Sequence, residues 1–398
     1  MRSMLKLLAL SSASLLSACG GDTGLQTVGS VAPPSGGSGS SPTPTPASTH
    51  TFVTPTETKT YEAIGAVHSY AYDTTSITPG QNHQLYAGDA NTVRDSGITI
   101  QYNPRDAIFE VTINRPLANV TTGVMRFQDP AHRTDFGGVV EPQEGTPELP
   151  TSSVIQYLQS GGSTGTRLTG GTGYADDGLT IFNSDYVVGN KGWSSTHQTF
   201  FYQKPGAPTG VGSETTPRYV SYAGFVRNTI TATEEQDDPS GPLYLKQTYT
   251  FERGAFVFGE RTPNSAVPRS GTGTYRGEMI ATMVFNPEID NIANYPTYFQ
   301  WIQGTHTTDV NFGSLTVNSR FDGTVLAPSR DAYTSGQYYL PANSTFTANS
   351  TATIDLVNKG GFTGTFSSAS FRVPGAASPF NLTIAGSSID GAFFGPNG

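Results

Sequence analysis

From Thr272 to Phe285 the chain reads TGTYRGEMIATMVF, and the residues after it repeat the same texture to the end. VNFGSLTVNSRFDGTVL follows at 310–326, then STFTANSTATIDLV at 344–357, GGFTGTFSSASFRV at 360–373 and PFNLTIAGSSIDGAFFGP at 379–396. Small residues alternate with aromatic and β-branched ones, and Gly, Asn, Asp or Pro punctuates each run, which is the grammar of strands joined by tight turns. That alternation suits a small barrel whose interior is filled by side chains and whose edges are removed by closure. Roughly 130 residues hold six or seven strands of about ten residues each with their turns. An eighth is expected for full closure.

The same texture, less regular, extends upstream. Only 13% of residues are charged, whereas the chain holds 46 Gly, 19 Tyr and 22 Phe, so strands and turns are favoured over helices throughout. Strand-length runs recur at 97–102, 107–113, 179–182, 199–202, 219–225 and 243–251. The best helix candidate is TSSVIQYLQ at 151–159, where Ser or Thr could cap the first turn and the following glycines end it. A Pro-containing stretch at 262–268 separates this half from the purer strand pattern after it. The expected fold is therefore all-β: a β-rich domain over 51–265, then a small antiparallel barrel of eight-stranded type over 266–398 whose last strand these runs do not supply.

The N-terminus carries an address. MRSMLKLLALSSASLLSAC has a basic start at Arg2 and Lys6, an apolar run from Leu7 to Leu16 that is too short to span a bilayer, and small residues before Cys19. Leu16-Ser17-Ala18-Cys19 resembles the bacterial lipobox, so residues 1–18 read as a lipoprotein signal peptide and Cys19 as the acylated residue. Several acyl chains on one cysteine give stable anchoring. An ordinary secretory signal is the other reading, although the single cysteine of an exported chain would then be an unpaired thiol. Gly20 follows, where an aspartate would resemble an inner-membrane retention signal, so the outer membrane is the expected destination. Residues 19–50 are rich in Gly, Ser, Pro and Thr with almost no large apolar side chains, and read as a disordered tether.

The C-terminal motifs resemble a known family. PRSGTGTYRGEM at 268–279 resembles the segment that enters the barrel in the transferrin-binding protein B family of surface lipoproteins, which is related to factor H-binding protein. FGERTP at 258–263 is similar to the end of that family's neighbouring domain, VNFGSLTV to a barrel hairpin, and GAFFGP at 391–396 to its closing signature. The resemblance implies that 51–265 form a "handle", a twisted sheet beside the barrel. It also implies a short final strand after GAFFGP. The sequence ends at Gly398, so either that strand lies beyond the given residues or the barrel closes one strand short, leaving exposed backbone groups.

Motifs that would carry catalysis are poor. Gly161-Gly-Ser-Thr-Gly165 matches the nucleophile-elbow pattern, but Gly-Thr-Arg-Leu-Thr-Gly-Gly follows where the motif requires a helix, so a flexible loop is the expected structure. The six histidines show no metal-ligand spacing. Glu234-Glu235 and Asp237-Asp238 read as a solvated acidic loop, since consecutive carboxylates do not converge on one substrate. No enzymatic activity and no resident cofactor or metal are expected, and a net charge of −9 argues against nucleic acid.

Binding signals are stronger. PEIDNIANYPTYFQWIQGTH, at 287–306, reads as an aromatic insertion between two barrel strands and carries Tyr295, Tyr298, Phe299, Trp301 and His306. GNKGWSSTHQTFFY, at 189–202, adds Trp193 and His197 in an expected handle loop. Aromatics dominate contact energy at interfaces, and Tyr or His can ligate haem iron. The same rings could equally cap the two cores. The resemblance implies a ligand-capturing surface lipoprotein whose ligand is an iron source, a host iron-carrier protein or haem, handed to an outer-membrane transporter. The other reading is a non-nutritional surface protein, an adhesin or a binder of complement regulators.

Overall fold

The structure is a computed structural model that describes residues 55–75, 82–88, 96–114, 123–128, 145–147, 149, 155–165, 193–204, 218–235, 239–241, 244–285, 298–327 and 340–396. Among these residues there are strands and turns and no helix. The strands are β1 (Lys59–Glu62), β2 (Ile64–Thr75), β3 (Asn82–Gly88), β4 (Ile98–Asn103), β5 (Ile108–Ile113), β6 (Gly123–Gln128), β7 (Ile155–Gly165), β8 (Trp193–Gln203), β9 (Val220–Glu235), β10 (Tyr244–Gly259), β11 (Thr272–Phe285), β12 (Tyr298–Asn311), β13 (Thr316–Val325), β14 (Thr345–Asp355), β15 (Gly361–Arg372), β16 (Phe380–Asn381) and β17 (Ile389–Gly391).

They form three antiparallel sheets. A four-stranded sheet runs β1-β4-β5-β6, a six-stranded sheet β3-β2-β10-β9-β8-β7, and a C-terminal sheet β11 through β16, with β17 lying beside β16 along β15. The six-stranded sheet is the centre of the molecule. Its strands show why: β10 and the first half of β2 are buried at nearly every position, so both faces are covered. One face, with Val67, Leu158, Phe200, Ala223, Phe225, Phe256 and Phe258, packs on Ile98, Ile100, Phe109, Val111, Met125 and Phe127 of the small sheet. The opposite face carries Ile64, Ala66, Phe201, Val226, Ala255 and Val257, and meets Ile280 of β11 and Trp301 of β12.

The C-terminal sheet is rolled around a core of its own. Met279, Ala281 and Met283 of β11, Ile302 and Val310 of β12, Phe321 of β13, Phe346 of β14 and Phe362, Phe366 and Phe371 of β15 belong to one buried cluster. Alternation does this: in β13 and β14 every second residue is buried from Val317 to Phe321 and from Phe346 to Ala352. The strands approach closely at Gly304 of β12 and Gly364 of β15, where a Cβ would stand 2.0 Å from the carbonyl oxygens of Asp322 and Thr351. No described strand is paired to the outer edge of β11. Instead the C-terminal residues cross to the N-terminal half: Thr262 N donates to Phe393 O (2.8 Å), Thr262 Oγ1 to Gly395 O (2.7 Å) and Gly395 N to Glu260 O (2.9 Å). Gly395 has φ +100° and backs onto the Tyr219 ring, so GAFFGP bends there to pin the two halves together.

Two local expectations are corrected. The helix at 151–159 is instead β7, because Gln156, Tyr157 and Leu158 pair with Tyr202, Phe201 and Phe200 of β8, and burying Leu158 in the sandwich outweighs a capped turn. The glycine-serine run at 161–165 is not a loop but the second half of the same strand, with Ser163 opposite Ser195. The expected strand at 179–182 lies outside the described residues.

Candidate functional site

Period two along β12 decides where the aromatic residues go. Tyr298, Phe299, Trp301 and His306 all lie within this strand and not in an insertion; Tyr295 lies outside the described residues. At the start of the strand Phe299 and Trp301 face the six-stranded sheet, whereas Ile302 and Val310 belong to the C-terminal core and His306 points the same way, towards Phe321.

Phe299 and Trp301 fasten the two halves. Trp301 packs edge-on against Phe201 of β8 with ring centroids 5.4 Å apart, and its Nε1 donates to Gly145 O at 2.6 Å. Phe299 lies between His68 of β2, at 4.6 Å, and the guanidinium of Arg253 of β10, at 5.5 Å, with Tyr70 edge-on at 6.1 Å. Neighbouring β11 adds a polar latch: Glu278 Oε2 accepts from Gln203 Nε2 (3.1 Å) and from the Tyr222 hydroxyl (3.2 Å). Burial, and after it the Glu278 carboxylate, pushes the Tyr222 phenol far above its ordinary range.

Beneath Phe299 the six-stranded sheet holds charge. Arg253 is fully buried, donating from Nη1 to Asn228 Oδ1 (2.8 Å) and to Glu252 O (2.9 Å), and on the opposite face Arg227 pairs with Glu252. His68 stands beside Arg253 in register; burial first, and then that cation, depress its imidazole to about 3, so it is neutral.

His306 sits inside the rolled sheet. Its Nδ1 is 3.3 Å from Thr308 Oγ1, which lies 2.9 Å from Ser319 Oγ. His306 and Thr308 border a cavity of about 10 Å³ with Tyr275, Val310, Phe362, Ala392 and Phe393. That is room for one water and not for a porphyrin, so haem ligation by His306 would require the sheet to open. Burial raises the Tyr275 phenol above its usual value.

The second sequence group lies elsewhere. Trp193 opens β8 and His197 stands opposite Asn228 in the same strand, half-buried, with desolvation lowering its imidazole. At about 3.3 Å per residue Trp193 is roughly 26 Å along β8 from Phe201, the partner of Trp301, so the two aromatic groups do not form one site. The interior position of Glu252-Arg253 had a signal in the sequence: two charges in the middle of TFERGAFVFG, a run otherwise apolar enough to be buried on both faces. Among the described residues no three or more His, Cys, Asp or Glu side chains gather as a metal site.

No protein-family model matches the chain, and no curated protein sequence matches it. Among solved structures it is similar to a mutant of transferrin-binding protein B from Haemophilus parasuis, a vaccine antigen, at 12% identity over 84% of this chain and 71% of that one. The TM-score is 0.21, a value at which the likeness carries no argument.

Proposed function

We propose that the chain is a lipid-anchored outer-membrane protein of a bacterium that captures a ligand at the end of its β body remote from the membrane, the ligand being an iron source passed to a partner transporter. The observation that carries this reading is how the two ends of the body differ. The chain enters the fold at Lys59, whose ammonium pairs with Glu260, next to the last residue of β10. At that end the C-terminal strands are joined by the tight turns 312–315 and 356–360. At the other end β7 stops at Gly165 and β8 starts at Trp193, β11 stops at Phe285 and β12 starts at Tyr298, and β13 stops at Val325 and β14 starts at Thr345.

The sequences that bridge those far ends are long and rich in Tyr, Gly, Ser and Asn, and include Tyr174, Tyr186, Tyr295, Tyr333, Tyr338 and Tyr339. That composition is the one binding loops use, since Tyr supplies large amphipathic contact at low entropic cost. With both faces of the central sheet covered where the C-terminal sheet meets it, and Phe299 and Trp301 spent on holding the halves together, the ligand is met at this end and is a protein.

The test uses cells displaying the full-length protein. Labelled host iron-carrier proteins should bind saturably, binding should fall when 286–297 is replaced by a short Gly-Ser turn, and a deletion strain should grow poorly only under iron limitation. No carrier bound and no growth defect would overturn iron capture and leave the adhesin or complement-regulator reading. A haemin titration separates a haem ligand from a protein one.

A further inference from the structure

The end at which the chain enters the fold has a feature that protein capture at the other end does not use. Among the described residues three large apolar side chains are exposed: Val124 at 60%, Leu315 at 45% and Val357 at 92%. Two of the three stand on adjacent hairpin tips, β12–β13 and β14–β15, tied together by Ile354 N donating to Leu315 O at 2.8 Å. Both tips are stiff. Asn311 Oδ1 accepts from Gly313 N (3.0 Å) and Ser314 N (2.9 Å), and Asp355 Oδ1 accepts from Asn358 N (2.9 Å). Leu315 has φ +58°, a conformation that Gly or Asn adopts readily and that costs a Cβ-bearing residue about 1–2 kcal/mol. A strained turn that also exposes leucine is a candidate for contact.

The position of the tips identifies the contact. Lys59 pairs with Glu260, and four residues further on Asn264 Nδ2 donates to Leu356 O at 2.6 Å, so the chain's entry point lies beside the Val357 turn. Phe312 N donates to Gly271 O at 2.9 Å, placing exposed Arg269 near the Leu315 turn, while Lys359 is exposed on the other tip. Cys19 precedes Lys59 by 40 positions. A coil of that length has a root-mean-square reach of roughly 35 Å. β10 alone, at 16 residues, is roughly 53 Å long. The root-mean-square reach therefore favours this end over the far one at the bilayer.

We propose that Leu315 and Val357 insert into the lipid surface to which Cys19 fastens the chain, with Arg269 and Lys359 at the phosphates, so that the body stands with its far end outward. This rests on lipidation of Cys19. The apolar pair adds a second, weak attachment to a permanent first one, and its effect is orientation and not affinity.

The test takes full-length lipidated protein reconstituted in phosphatidylethanolamine–phosphatidylglycerol vesicles, some with acyl chains brominated near the headgroup. Leu315→Trp and Val357→Trp are compared with Val124→Trp on β6, each read against the wild-type emission. The added emission of both tip variants should be blue-shifted and quenched by bromine several-fold more than that of Val124→Trp, and should become unquenched in the Cys19→Ser protein, which lacks the anchor. Equal quenching at all three positions would overturn the proposal. So would a blue shift that bromine does not quench and that grows with protein density, which would assign the tips to a second copy of the chain. The mass of the N-terminal peptide separates the two failures: an unacylated Cys19 overturns the anchor and this inference together, whereas an acylated Cys19 with unquenched tips overturns this inference alone.

Discussion

Replacing Trp301 by alanine distinguishes a fastening residue from a ligand contact. The indole is buried among Phe201, Val226, Val257 and Ile280, and removes about 150–250 Å² from water. At about 25 cal/mol per Å² that corresponds to roughly 4–6 kcal/mol, of which alanine retains a small part. Observed costs of Trp→Ala in cores, about 3–5 kcal/mol, agree. Loss of the Nε1 bond to Gly145 O adds about 1 kcal/mol. The expected destabilisation is therefore about 5 kcal/mol, and Trp301→Phe, which keeps a ring against Phe201 but loses the donor, should fall between alanine and wild type. Equilibrium urea denaturation followed by circular dichroism supplies the numbers. A cycle with Phe201→Ala should show coupling of about 1 kcal/mol between the two rings. Because this residue fastens β12 to the central sheet, a destabilisation below about 1 kcal/mol, together with lost ligand binding, would refute the reasoning and restore Trp301 to a binding surface.

Four further outcomes are expected. His68 is buried neutral with its pKa depressed to about 3 from an ordinary 6.5, so its contribution is present above pH 6.5 and is lost as the pH falls from there towards 3. Unfolding free energy should drop by about 2 kcal/mol between pH 7 and pH 5 from this residue, and the drop should be absent in His68→Gln. The Tyr61 phenol, raised to about 12 by burial and then by Tyr102, acts at the opposite end: its contribution holds below pH 10 and is lost as the pH rises towards 12, an alkaline loss that Tyr61→Phe should remove in a pH series of melting temperatures. Gly304→Ala places a methyl against the carbonyl of Asp322 and should destabilise by about 1–3 kcal/mol in urea, while Leu315→Asn, relieving the positive φ, should stabilise by about 1 kcal/mol.

Much of the fold was legible because strand signals are local. β4, β5, β9 and β10 begin within a residue or two of the runs read from alternation, and the C-terminal runs became β11 and β13 to β15. Misreadings arose where the deciding interaction is long-range. TSSVIQYLQ has an acceptable helix start, but Leu158 is buried by residues of a different sheet, which no window of nine residues contains. β12 was read as an insertion since Tyr, Trp and His in a polar setting look like a surface. Its alternation sends Phe299 and Trp301 outward from one core into a second one, so the strand is covered on both faces. Sequence marks such a strand only as aromatic-rich, and the partner that buries it is roughly 50 to 230 residues away along the chain.

That arrangement limits where a ligand can be met. A sheet with one free face offers that face; the half of the central sheet nearest the chain entry has none, with Phe256 and Phe258 facing the small sheet and Ala255 and Val257 facing β11 and β12, while in the other half Asp73, Thr231, Lys246 and Thr248 lie half-buried on one face. Buried Arg253 and the Arg227–Glu252 pair lie within it, and breaking such a pair by removing one partner costs about 3–5 kcal/mol. Opening this sheet to admit a ligand would separate buried charges from the partners that hold them. The sheet is therefore a fixed beam, and recognition falls to its ends. The two ends carry different chemistry: stiff, short and apolar where the chain enters, long and tyrosine-rich in sequence at the other. Leu315 is held at φ +58° at the first, and at the second the sequences between β7 and β8, β11 and β12, and β13 and β14 are long, which is the division that the proposed attachment and capture require.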